Sequence, residues 1–174
     1  MTATFRRRPE PSEYDDFYAG YVAQVPDGDV LELLKEQGAS HRELFAAIPE
    51  EKHDHRYAPG KWTVKEVIGH LIDTERVFAY RALAFARGDA APIPGMDQDE
   101  YMAGADFGRR SMASLIDEYH HLRAADVALF GSFDEAVLDR TGVASGVPFT
   151  VRALLWIVAG HERHHLGVLK ERYL

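Results

Sequence analysis

An all-α fold, a four-helix bundle forming a single domain over residues 1–174, is what the sequence predicts, and three observations predict it. Four stretches repeat apolar residues every three or four positions, the period that puts them on one helix face. Three of these open on a capping residue, Asp29, Thr63 or Thr150, and Pro49, Gly88 and Gly131 close the first three. With 174 residues, 46% of them hydrophobic, the chain can bury one substantial core and is short for two.

Residues 1–28 carry a short stripe of Tyr14, Phe17, Tyr18, Tyr21 and Val25 ending at Pro26-Asp27-Gly28, which predicts a short helix or turn packed on the bundle of residues 29–174. The first long helix starts at Asp29-Val30-Leu31-Glu32, an N-cap acid with a glutamate three residues on. It turns Leu31, Leu34, His41, Phe45 and Ile48 inward before Pro49. The second opens at the capping box Thr63-Val64-Lys65-Glu66, with Val64, Val67, Leu71, Val77, Phe78 and Phe85 on one face. Residues 88–108 form a long Pro- and Gly-rich connection of the kind that covers a site, where Met96, Tyr101 and Met102 line a pocket mouth or pack on the bundle. Met112, Leu115, Ile116, Tyr119 and Leu122 mark the third helix, with His120 and His121 toward solvent. Residues 131–148 read as a second loop delivering Thr150 as the cap of the fourth helix. The crossover between helices two and three means that sequence neighbours need not be simply antiparallel.

The fourth helix contains Gly160-His161-Glu162-Arg163-His164-His165 within the apolar run from Val151 to Leu169. At about 100° per residue, His161 and His165 project from one face, one turn apart. Leu154, Ile157, Val158, Val168 and Leu169 lie within roughly 80° of the His161 direction, so the pair points inward. Two inward imidazoles suit a metal ion; core histidines bonded to backbone or to each other are the alternative. His70 is the best third ligand. It lies seven residues past Thr63, while His161 lies eleven past Thr150, a difference of one helical turn. His41 is a packed histidine or a further partner of the site. His53-Asp54-His55 sits in a polar connector where alternate residues diverge, which speaks against a native site. Arg81 returns to almost the His70 direction about 16 Å further along. It is either half of a salt bridge to another helix or a clamp for an anionic ligand.

The net charge of −8, with no basic run longer than Arg6-Arg7-Arg8, argues against a nucleic-acid groove or a membrane surface and leaves a small-molecule substrate. Without cysteine there are no disulfides, thiol nucleophiles or thiolate-ligated metals, so any sulfur chemistry uses an imported thiol. No apolar stretch reaches about 18 residues, and the N-terminus lacks the apolar segment of a secretory signal, which predicts a cytoplasmic protein.

Three neutral histidines would leave a metal position open for water or substrate. Zn²⁺ is the first expectation for nitrogen-only ligands, and Ni²⁺, Co²⁺, Cu²⁺ and Fe²⁺ also suit imidazole. Activated water would give a hydrolase of an ester or amide; an activated thiol would give transfer or isomerisation. Asp73 and His164 are the candidate acid–base helpers, with Glu162 a lesser one.

The run Pro59-Gly60-Lys61-Trp62-Thr63-Val64-Lys65-Glu66, then Gly69-His70-Leu71-Ile72-Asp73-Thr74-Glu75-Arg76, Tyr80-Arg81, and Gly160 to His165 resembles the DinB-like superfamily, in particular its YfiT branch, over nearly the whole chain. That resemblance implies up-down-down-up connectivity, a metal triad at His70, His161 and His165, and a homodimer. The family's name refers to damage induction of a founding gene and does not imply DNA binding. Its members include transferases using thiols such as bacillithiol or mycothiol, a thiol-dependent maleylpyruvate isomerase, and proteins labelled metal-dependent hydrolases. The leading expectation is therefore a divalent-metal enzyme, with Zn²⁺ or Ni²⁺, that transfers a low-molecular-weight thiol to a small electrophile. A metal-dependent hydrolase and a non-catalytic metal- or ligand-binding stress protein are the alternatives.

Overall fold

A computed structural model describes residues 5–174; residues 1–4 of the expected N-terminal segment lie outside the described residues. Four long helices form the bundle: α2 (Val30–Ala46), α3 (Val64–Ala86), α5 (Met112–Gly131) and α7 (Val151–Arg172). Shorter pieces are α1 (Ala19–Ala23), α4 (Gln98–Gly104), α6 (Glu135–Leu138) and a hairpin of β1 (Thr141–Ala144) with β2 (Val147–Thr150). No described helix is long and apolar enough to cross a membrane.

Helix starts follow from their caps. The Asp29 carboxylate accepts from the amides of Leu31 and Glu32, while Glu32 turns outward to Lys35 at 2.7 Å instead of closing a capping box. At α3 the box is complete: Thr63 Oγ1 accepts the Glu66 amide at 3.1 Å, and Glu66 accepts the Thr63 amide at 2.6 Å. Ser111 and Thr150 cap α5 and α7 by accepting the amides of Ser114 and Ala153, without a returning carboxylate.

Cross-helix bonds give the connectivity. Gln37 donates to the Ala159 carbonyl and His41 pairs with Glu162, so α2 and α7 advance together. His70 meets His161 midway along α7, whereas Arg81 reaches Ser145 ahead of it, so α3 runs against α7. Lys65 donates to the Gly108 carbonyl before α5 and Glu75 pairs with Arg123 within it, so α3 and α5 are parallel. The order is up, down, down, up. The expected loop over residues 131–148 is instead a short helix and a hairpin. Its two-residue turn has positive φ at both Ser145 (54°) and Gly146 (79°), which matches strand twist. The N-terminal stripe also differs from expectation: Val22 and Val25 are buried, but Phe17 is 72% exposed.

Two apolar clusters, one around Trp156 and Phe85, the other around Phe45 and Tyr119, fill the two ends of the bundle. A polar layer lies between them. At its centre Arg123 of α5 bonds to each of the other three long helices. It donates to both Glu75 oxygens on α3 (2.6 and 2.8 Å), to Glu162 on α7 (2.8 Å) and to the Leu34 carbonyl on α2 (3.0 Å). Gly38 of α2 makes room, since a Cβ there would come within 2.8 Å of Arg123 Cγ. Tyr119 and His41 also bond to Glu162, so His41 serves this layer. Burial raises the Glu75 pKa. At Glu162 burial pushes the same way, but Arg123 and His41 reverse it and hold the carboxyl at about 2. Replacing Arg123 by Met should cost about 3–5 kcal/mol in urea unfolding, because two carboxylates would stay buried without their cation. A loss below about 1 kcal/mol would show that the network does not fix the bundle.

Candidate metal centre

His161 and His165 stand one turn apart on α7, and the antiparallel α3 brings His70 against them. His161 Nε2 lies 3.1 Å from His70 Nε2 and 3.1 Å from His165 Nε2. The three nitrogens lie within 4.8 Å of one another, and among the described residues this is the metal-capable group of side chains. A tetrahedral ion with bonds of about 2.0–2.1 Å holds its ligand nitrogens roughly 3.3 Å apart, so the donor set fits a divalent ion. Hydrogen bonding alone fits it poorly, because His161 Nε2 carries either a proton or a lone pair and must serve two neighbours. Trp62 packs on His70 with ring centroids 4.7 Å apart, and Tyr21 on His161 at 5.3 Å. The Thr74 hydroxyl lies 3.4 Å from His70 Nδ1, on the side away from the triad.

Desolvation keeps the imidazoles neutral. Burial lowers the His70 pKa to about 4. It lowers His165 to about 3, with help from His70 and His164, and takes His161 well below its usual value. Neutral imidazole is the form that binds a metal.

Two of the three histidines, His70 and His161, line a cavity of about 410 Å³, a size suited to a small ligand. His70, Thr74, His161 and Ile157 form its floor; Tyr18, Tyr21 and Phe78 form an aromatic wall. The N-terminal segment supplies the tyrosines, and Gly160 lets it approach: a Cβ there would come within 2.0 Å of the Tyr21 carbonyl oxygen. Met96, Asp97 and Asp99 from the 88–108 connection lie at the rim, whereas Tyr101 and Met102 do not line the cavity.

The sequence-predicted residues separate clearly. His70, His161 and His165 converge, and Arg81 lines the same cavity. Asp73 does not line it. That carboxyl is half-buried near Arg76, Glu118 and Arg110, with its pKa raised by burial and by Glu118. His164 packs beside Tyr21 and approaches Gln24, also outside the cavity. Glu162 points into the polar layer. His53 bonds the Ile48 carbonyl and Asp54 pairs with Lys65, so that connector forms no metal cluster. His121 is exposed and His120 half-buried. Thr74, Tyr18, Tyr21 and Ser145 are cavity residues that the sequence does not single out; the aromatic spacing before Pro26 is the one available signal, and it is equally a signature of packing.

The family model of the DinB superfamily matches residues 33–169. No curated protein gives a significant match. Among solved structures, the chain is similar to YfiT from Bacillus subtilis, described as a probable metal-dependent hydrolase with an unusual four-helix bundle topology. The TM-score is 0.74 at 17% identity, over 95% of this chain and 90% of that one. It is also similar to the mycothiol-dependent maleylpyruvate isomerase, with a TM-score of 0.66 at 14% identity, over 83% of this chain and 61% of that one. At these identities the likeness is one of fold.

Because the triad is already unprotonated, Zn²⁺ affinity measured by chelator competition should change less than about threefold between about pH 5.5 and 8. Histidines with an ordinary pKa near ~6.5 would bind progressively less well below that pH, and such a fall would contradict the buried neutral triad.

Proposed function

The chain belongs to the DinB superfamily, and we propose that it is a divalent-metal-dependent enzyme that transfers a low-molecular-weight thiol to a small electrophile. The observation that carries this reading is the convergence of three neutral imidazole nitrogens, two of them, on His70 and His161, lining a cavity large enough for a small molecule. His70, His161 and His165 would hold the ion, Zn²⁺ or Ni²⁺. When bound there, such an ion lowers the pKa of a coordinated thiol or water.

The other residues favour the thiol. Among the described residues no carboxylate joins the triad, and Asp73 and His164 lie outside the cavity. Hydrolysis gains from a positioned base beside the nucleophilic water; the carboxylates that line this cavity, Asp97 and Asp99, come from the 88–108 connection and not from the helices that carry the triad. A thiol held there would release its proton to solvent, and its sulfur would then attack the electrophilic carbon, the S–C bond forming as the leaving group departs with its electron pair. Tyr18, Tyr21 and Phe78 bound the space where the electrophile would sit and shield it from water. The acidic chain, net charge −8, suits a small-molecule partner and not nucleic acid. A metal-dependent hydrolase is the second reading, supported by the description given to the similar YfiT structure.

The test combines bacillithiol or mycothiol with 1-chloro-2,4-dinitrobenzene, following chloride displacement in metal-free and Zn²⁺- or Ni²⁺-loaded protein. Thiol consumption should require metal and fall by more than about 100-fold in His161→Ala. Metal-dependent cleavage of esters or amides without thiol would favour the hydrolase. Stable metal binding with neither activity would leave the binding-protein alternative.

A further inference from the structure

Three arginines are buried in the described chain: Arg81, Arg123 and Arg152. Two of them are neutralised. Arg123 holds Glu75 and Glu162, and Arg152 holds Glu13, Glu135 and Asp139. Arg81, only 2% exposed, forms no ion pair with any described carboxylate. Its Nη2 donates to Ser145 Oγ at 3.0 Å and to the Pro94 carbonyl at 3.4 Å, and its Nε is buried without a partner. Burial pulls its pKa down, and the groups that oppose this are the phenols Tyr18 and Tyr101. A buried guanidinium without a counter-charge is costly, so a position that keeps one facing a cavity calls for an anion.

The salt bridge to another helix that the sequence allowed for Arg81 is absent among the described residues; the cavity takes its place. Arg81 and His70 share one face of α3, and both line the same 410 Å³ space together with His161. Eleven residues of helix separate their Cα atoms by about 16 Å. The guanidinium lies over the Phe78 ring, 5.0 Å from its centroid. Phe78, Tyr18 and Ile157 line the same cavity.

We infer that Arg81 is the anion subsite of this cavity, and that the substrate is a small molecule with a carboxylate at one end, an apolar or aromatic body, and its reacting group at the histidines. This rests on the reading of the triad as the reacting centre. The fork of Arg81 suits a carboxylate, with Ser145 Oγ beside it as a further hydrogen-bonding group. One guanidinium balances one negative charge. Asp97 and Asp99 at the rim oppose a dianion, so a carboxylate fits better than a phosphate monoester.

The experiment uses metal-free protein and a series of ω-phenylalkanoic acids, from phenylacetate to 8-phenyloctanoate, each paired with its primary amide and with the phenylalkyl phosphate of matching length. Binding is read by calorimetry. At least one acid of intermediate length should bind roughly tenfold or more tightly than its amide, and more tightly than the phosphate. Arg81→Gln should reduce that acid-to-amide ratio to within about threefold, and Arg81→Lys should keep part of it. A merely structural Arg81, latching the Ser145 turn, would change thermal stability in the variants while acid and amide bound alike. No acid preference anywhere in the wild-type series, or a preference that survives Arg81→Gln, would overturn the inference, as would tighter binding of the phosphates. The wild-type comparison needs no variant to fold. Zn²⁺ uptake measured on the same protein separates the two readings: acid preference without metal uptake sinks the metal centre alone, and metal uptake without acid preference sinks the subsite alone.

Discussion

The contact on which the rest of the structure depends is the hydrogen-bonded cluster around Arg123. One guanidinium reaches the Leu34 carbonyl, Glu75 and Glu162, so a single side chain of α5 fixes the heights of α2, α3 and α7. Apolar packing alone tolerates sliding, because one leucine can replace another in a groove. Directed bonds to buried carboxylates do not. Glu75 lies five residues after His70, and Glu162 directly follows His161. The ion pairs that hold those two acids therefore also hold the two histidines opposite each other.

That layer divides the interior into two apolar clusters and leaves a polar belt across the middle of the bundle. On one side of the belt the charges are neutralised among themselves. On the other, His70, His161 and Arg81 face a cavity roofed by the N-terminal segment and the 88–108 connection. Burial drives the histidines to their neutral form and leaves Arg81 charged without a carboxylate partner. Neutral imidazoles are the form that suits a cation, and a buried guanidinium without a carboxylate partner is the form that suits an anion.

Much of this was legible in the sequence. The caps at Asp29, Thr63 and Thr150, the four-residue spacing of His161 and His165, and the one-turn offset that selects His70 are local properties that periodicity reveals. Arg81 was marked by its direction, but whether its partner was a carboxylate of the protein or a ligand depended on packing that the pattern does not contain. Glu162 carried no signal of burial, since its place beside His161 fits a helper equally well; only α2 and α5, arriving from elsewhere, turn it into a core ion pair. The hairpin was missed because Ser145-Gly146 is a weaker turn signal than asparagine or aspartate before glycine, and its strands are only four residues each. Tyr18 and Tyr21 were visible as an apolar stripe, yet a stripe does not say whether it faces a core or a cavity.

The most direct measurement is metal content by mass spectrometry on protein purified without an affinity tag or added metal, beside His161→Ala. The expected result is about one divalent ion per chain in the wild type and none in the variant. A wild type that is empty and also fails to take up Zn²⁺ or Ni²⁺ would contradict a metal centre at His70, His161 and His165.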